Sequence, residues 1–324
     1  MTSPPEPPPR ADETYTIEDV YALGRELSNW GRWGPEDERG TLNHLGPNQR
    51  LAAATAMRSG RTFSLALPLK TGVGPQTGAM GRTNCLHVVT QTGDTTGPLD
   101  MGGDADFTDD MVVLSCQGST QWDALSHIYY SGEMYNGVPA TEVSAAGSGR
   151  NGIDQVHDGF VGRGVLLDLA RHAGEACWDP LNPIRSEDLD ACADAQGVTI
   201  EAGDIVIVRT GAMTAVDGDD WSGFESTCIS GLHFTTVRWL AEHEVAAVAA
   251  DNVMVEGLSP VAGVMSPLHM VAIRDMGLLL GELWFLEDLA ADCANDGQYD
   301  FFLAAQALPI AGGCGSPVNP IAVK

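Results

Sequence analysis

The chain has 324 residues, 44% of them hydrophobic and 19% charged, and a formal net charge of −27 at pH 7. That length and mix describe a folded globular protein with a substantial core, not a disordered chain. So acidic a balance, with no basic run, excludes recognition of a nucleic-acid backbone and docking on an anionic membrane surface.

The seven cysteines stand at 85, 116, 177, 192, 228, 293 and 314, without a C-x-x-C pair. An odd, scattered set signals neither a zinc ribbon nor a disulfide framework, so reduced cytoplasmic thiols are expected. The first residues, "MTSPPEPPPR", lack the apolar core of a signal peptide. No stretch approaches the roughly 18 apolar residues of a membrane span. The expectation is a soluble cytoplasmic protein acting on a small molecule.

In chain order, residues 1–14 read as a disordered proline-rich arm. "TIEDVYALGRELS" has a Thr start, acids in the first turn and apolar residues every three or four, which predicts a helix. "NWGRWGPEDERGTLNHLGPNQR" is an ordered loop, and "NQRLAAATAMRSG" a second helix closed by Gly60. "TFSLALPL" reads as a strand, and residues 70–108 as one long connection. "DMVVLSCQ" reads as a buried strand, and "RGVLLDLAR" and "GDIVIVRTG" as central strands. "TTVRWLAEHE" is a helix, "VAAVAADN" a strand, and "PLHMVAIRDMG" a helix starting after Pro267. "LLLGELWFLEDLA" passes from strand to turn. "YDFFLAAQAL" is a last strand, followed by a glycine-rich closing segment. Alternating strands and helices without a linker place residues 15–324 in one α/β domain.

The stretch "SCQGSTQWDALSH" holds Gln117, Gln121, Asp123 and His127, all on odd positions. On an extended chain such residues share one face. They suit either a metal site or a hydrogen-bonded polar network. His269, at a predicted helix start, and Glu282, closing an apolar run, add an imidazole and a carboxylate. Asp123, His269 and Glu282 converging from three segments would make an oxygen-rich site with one nitrogen, whose charge repulsion a divalent cation relieves. Trp30, Trp33 and Trp122 suit an aromatic pocket or the core. Asp251, Asn252 and Glu256 suit a pocket wall or plain turn chemistry.

"QGSTQWDALSH" resembles a variant of the signature HxGTHxDxPxH of the metal-dependent cyclase superfamily, which includes kynurenine formamidase and isatin hydrolase. "GRWGPEDERGTLN", "GRGVLLDLAR", "EAGDIVIVRTG", "GLHFTTVRWLAEHEVAAVAADN", "SPLHMV", "GELWFLEDLA" and "GSPVNPIAV" are similar to family stretches in the same order. The resemblance implies a central mixed, barrel-like sheet flanked by helices, and a homodimer or homotetramer. It also implies metal ligands at Gln117, Gln121, Asp123, His269 and Glu282, with His127 as base. The departure is that both signature histidine ligands are glutamines here, and the signature proline is Leu125.

A glutamine oxygen is a harder, weaker donor than imidazole, which moves the expected ion from Zn²⁺ towards Mn²⁺ or Mg²⁺. The other reading has the glutamines hydrogen-bonding a pocket wall or substrate. Trp33, Trp122, Ser119 and Thr120 are candidate substrate contacts, and the glycine of "QGST" would let backbone N–H groups reach an oxyanion. The expected activity is metal-dependent hydrolysis of a small cyclic or aryl amide or a lactone. A lyase or true cyclase, and a non-catalytic binding protein of the same fold, are the alternatives.

Overall fold

The computed structural model describes residues 14–78, 80–94 and 102–324. The arm expected over residues 1–14 lies, Thr14 aside, outside the described residues. The strands are β1 (Thr62–Ser64), β2 (Leu86–Gln91), β3 (Asp109–Val113), β4 (Gln121–Asp123), β5 (Val143–Ser144), β6 (Gly147–Ser148), β7 (Val161–Asp168), β8 (Ile205–Arg209), β9 (Ala247–Ala250), β10 (Leu279–Glu282), β11 (Asp300–Ala304), β12 (Gly315–Pro317) and β13 (Ile321–Val323). The helices are α1 (Ile17–Leu27), α2 (Pro47–Ala53), α3 (Leu169–Ala173), α4 (Ser186–Gln196), α5 (Val237–Glu242), α6 (Pro267–His269) and α7 (Glu287–Asp296).

Nine strands form one mixed, curled sheet in the order β1-β13-β11-β7-β8-β9-β10-β4-β12. Its middle, β7-β8-β9-β10, is parallel. The apolar runs "IVIVR", "AVAA" and "LLGE" are buried throughout, as expected of strands covered on both faces. Antiparallel strands extend the sheet on both sides, and β4 lies between β10 and β12.

Helix α1 starts on a capping box in which Thr16 and Asp19 satisfy each other's backbone N–H. It packs on a π-helical turn, Met270–Met276, that continues directly from α6. Gly24 permits that approach, because a Cβ there would stand 2.1 Å from Asp275 Oδ2. Gly281 has the same role inside the sheet. Trp122 is wholly buried across β10, stacked on Phe160 at 4.4 Å and edge-on to Trp284. A Cβ at Gly281 would meet the Trp122 ring and Ala249 at 2.8 Å. Gly281→Val should therefore lower stability by about 1–3 kcal/mol or more, read as an earlier urea midpoint. An unchanged midpoint would contradict this packing.

Several elements differ from expectation. The second helix ends early: α2 passes into a single 3-10 turn, Ala54–Ala56, and Ser59 and Gly60 then donate to the carbonyl of Lys324. Only Thr62–Ser64 of "TFSLALPL" pairs as a strand. The connection over 70–108 contains β2, which pairs with β3 in a two-stranded ribbon. All five residues of β3 are exposed, so the apolar "DMVV" is not a buried strand. Among the described residues the run has a single neighbouring strand and no cover on its faces. A helix, α7, follows the turn after β10, and the glycine-rich closing segment supplies β12 and β13.

Candidate metal centre

The strand β4 is only three residues long, and 116–120 is turn and bend. Gln117 and His127 therefore share no strand face with Gln121 and Asp123. The latter two do point to the same side of β4, while Trp122 fills the core on the other. The register of β4 with β10 sets Glu282 opposite Gln121. His269 enters from the end of α6.

These side chains meet in a buried cluster. One ligand atom each from Asp123, His269 and Glu282 lies within 4.8 Å of the others. Gln121 Nε2 donates to Glu282 Oε2 at 2.6 Å. His269 Nε2 lies 3.2 Å from Glu282 Oε1 and 3.9 Å from Asp123 Oδ2. His127, folded back by the turn after β4, holds Nε2 at 3.6 Å from Asp123 Oδ1. Gln117 is tied elsewhere: its amide nitrogen donates to the Cys314 carbonyl at 3.0 Å.

Three buried oxygens in the cluster, Gln121 Oε1 and both of Asp123, have no hydrogen-bond partner among the described residues. Buried polar atoms are almost always satisfied, so an orphaned set of this kind asks for a ligand. One amide oxygen, two carboxylates and one imidazole suit a hard divalent cation.

The titration of the cluster follows from burial. Asp123 is pushed well above the carboxylate range by burial and by Glu282, against the pull of His269 and Arg82. For His269, burial disfavours the charged ring, but hydrogen bonds and charge from Glu256 and Glu282 outweigh it and raise the group to about 10. His127 is lowered to about 3 by burial, by His269 and by Arg82, so its ring is neutral at pH 7.

Glu256 is the residue that sequence reasoning undervalued. It is buried and accepts from the backbone N–H groups of Leu268 and His269, at 3.0 and 3.3 Å. Its Oε1 lies 2.5 Å from His269 Nδ1. It thus anchors the start of α6 and turns the imidazole so that Nε2 faces Asp123 and Glu282. Val255, just before it, holds φ +59°, a costly conformation for a β-branched residue.

The proposed pocket residues divide. Ser119 and Thr120 border a cavity of about 710 Å³ that also meets Leu67, Leu114 and Leu308. The Thr120 hydroxyl is already engaged, donating to Leu283 O and accepting from Leu67 N. Trp122 is a core residue with Nε1 bonded to Ala305 O, leaving nothing to offer a substrate. Trp33 packs edge-on to His44 and beside Arg32. The Gly118 N–H is used within its own turn, on Ser115 O at 2.8 Å, so it is not free for an oxyanion. Arg209 pairs with Asp168 and Glu287, and His233 caps a 3-10 turn.

The family model described as "Putative cyclase" matches residues 51–257. This chain belongs to that family. The cyclase chain is also similar to a crystal structure described as a novel cyclase, at 39% identity and a TM-score of 0.84, covering 92% of this chain and 100% of that one. It shares its fold with isatin hydrolase A from Labrenzia aggregata, solved with benzyl benzoate, at 18% identity and a TM-score of 0.58 over 85% and 97% of the two chains. Isatin hydrolase A from Ralstonia solanacearum gives 19% identity and 0.59, over 86% and 97%. No curated protein matched the sequence. No helix among the described residues is long and apolar enough to cross a membrane.

Proposed function

We propose that this cyclase-family chain is a metal-dependent hydrolase of a small cyclic or aryl amide or a lactone. The observation that carries the reading is the set of unpartnered, buried oxygens on Gln121 and Asp123 beside His269 and Glu282. Asp123, His269 and Glu282 would hold the ion, with the Gln121 carbonyl as a neutral fourth donor. A bound divalent cation supplies Lewis acidity and a lowered pKa for water.

The protein's own part is proton handling and placement. His127 is neutral at pH 7 and partly open to solvent, 21% by side-chain exposure. It takes a proton from the attacking water as the new C–O bond forms at the acyl carbon. It then returns that proton to the leaving nitrogen or oxygen as the old bond breaks. Asp123 faces the same ring at 3.6 Å and, ionised when the cation is bound, would favour the imidazolium between the two steps. Glu256 fixes the direction of His269, so the donor set is preorganised.

Chelation tests the reading. Exhaustive EDTA treatment of the full chain should abolish hydrolysis across a panel of aryl formamides, cyclic amides and lactones. Mn²⁺ should restore it at least as well as Zn²⁺, given a donor set with one imidazole against several oxygens. Activity retained in protein shown metal-free by elemental analysis would refute the proposal.

A further inference from the structure

Arg82 lies in the loop leading into β2, and that loop is fastened to the turn before β4. Thr83 N–H donates to Ser115 Oγ at 3.1 Å, and Arg82 Nη1 donates to Gln117 O at 3.2 Å. Gly118 makes the contact close, since a Cβ there would stand 3.0 Å from Thr83 O. The loop thus sets the half-buried Arg82 against the turn that leads directly into β4, the strand that carries Gln121 and Asp123.

Among the described residues Arg82 forms no ion pair, in a chain with 44 acidic residues against 17 basic ones. A guanidinium has five N–H donors in a planar fork that matches a carboxylate, and one hydrogen bond occupies a single donor. A fixed cation beside a cation-binding cluster is also repelled by the ion, and an anion lying between the two offsets that repulsion.

We propose that Arg82 is a specificity-determining residue that receives the carboxylate of an anionic substrate. This rests on the hydrolase reading above and narrows it: the amide or lactone carries a carboxylate outside the bond that is cleaved. The backbone carbonyl of Gln117 holds the fork in place.

The test is binding of benzoate, with benzamide as its neutral isostere, to the Mn²⁺-loaded full chain. Calorimetry compares wild type, Arg82→Met and Arg82→Lys, and Mn²⁺ uptake is measured separately on each. Benzoate binding should weaken about tenfold or more in Arg82→Met and recover partly in Arg82→Lys, because a charge-assisted hydrogen bond is lost and then replaced by a point charge. Benzamide binding should be equal in all three, and Mn²⁺ uptake should be undiminished. Equal benzoate affinity in wild type and Arg82→Met would overturn the proposal. So would a wild type that binds no benzoate at millimolar concentration. If no variant takes up Mn²⁺, the metal reading fails, and the same comparison on metal-free protein still decides the role of Arg82.

Discussion

Asp123→Ala should lose metal and activity together, whereas His127→Ala should lose activity and keep the metal. Asp123 is fully buried, and neither of its oxygens has a hydrogen-bond partner. Removing it takes a charged donor from the centre of the cluster, so metal content falls with rate. His127 stands at the solvent edge, 3.6 Å from Asp123, and proton carriers contribute about 10²–10⁴-fold. The stability of the metal-free protein supplies an independent readout. The Asp123 carboxyl is raised above its ordinary value in the folded state, so the unfolded chain loses its proton first. Stability then falls as pH rises from the ordinary carboxylate range through the raised value. Asp123→Asn should therefore melt higher than wild type at neutral pH when both are metal-free, and lower in relative terms once Mn²⁺ is added. A His127→Ala protein that loses its ion would make His127 a ligand. One that keeps full activity would remove it from the mechanism.

The pH profile carries the same logic. A histidine base at its ordinary value would give an acid limb near pH 6.5. Burial, His269 and Arg82 lower His127 to about 3. With Mn²⁺ kept saturating at every pH, the acid limb of kcat should thus lie below pH 6.5, and a limb at 6.5 in the pH–rate profile would show that His127 keeps its ordinary value.

The central strands were legible because long apolar runs bounded by turn residues have few other uses, as "GDIVIVRTG" shows at β8. Helix α1 was legible from its cap. Asp123, His269 and Glu282 could be named because each sits in a stretch that resembles the family's, and the register of β4 with β10 brings two of their segments together. What stayed hidden depends on pairing and on approach. Nothing in "DMVVLSCQ" says that it pairs with β2 in an exposed ribbon, so burial was assumed. Trp122 alternates with Gln121 and Asp123, and period two alone should have sent it to the opposite face. Arg82 sits among Gly, Thr and Asn residues with no periodic pattern. Its position is set by the carbonyl of Gln117, 35 residues further on, a contact that no local rule predicts.

Metal uptake at pH 7 should release protons, and Glu256→Gln should reduce the number released. In the metal-free cluster His269 is raised to about 10, so at neutral pH its ring is charged. Both ring nitrogens then carry protons, Nδ1–H towards Glu256 at 2.5 Å and Nε2–H towards Glu282 at 3.2 Å. An ion can bind Nε2 only after that proton leaves, so at least one proton is expelled, and Asp123 adds a share of a second because its carboxyl is also raised. The sign follows: below about pH 10 apparent Mn²⁺ affinity rises with pH, roughly tenfold per unit for each proton expelled. Replacing Glu256 by glutamine keeps one oxygen for the His269 Nδ1–H and backbone N–H, while its NH2 leaves the Leu268 N–H without an acceptor. It removes one of the two charges that hold the ring protonated. Calorimetry in buffers of different ionisation enthalpy counts the protons directly. A wild type whose binding heat is the same in every buffer would mean that His269 is neutral before the ion arrives. A Glu256→Gln variant with an unchanged count would mean that Glu282 alone sets the charge of the ring, leaving Glu256 to hold the start of α6.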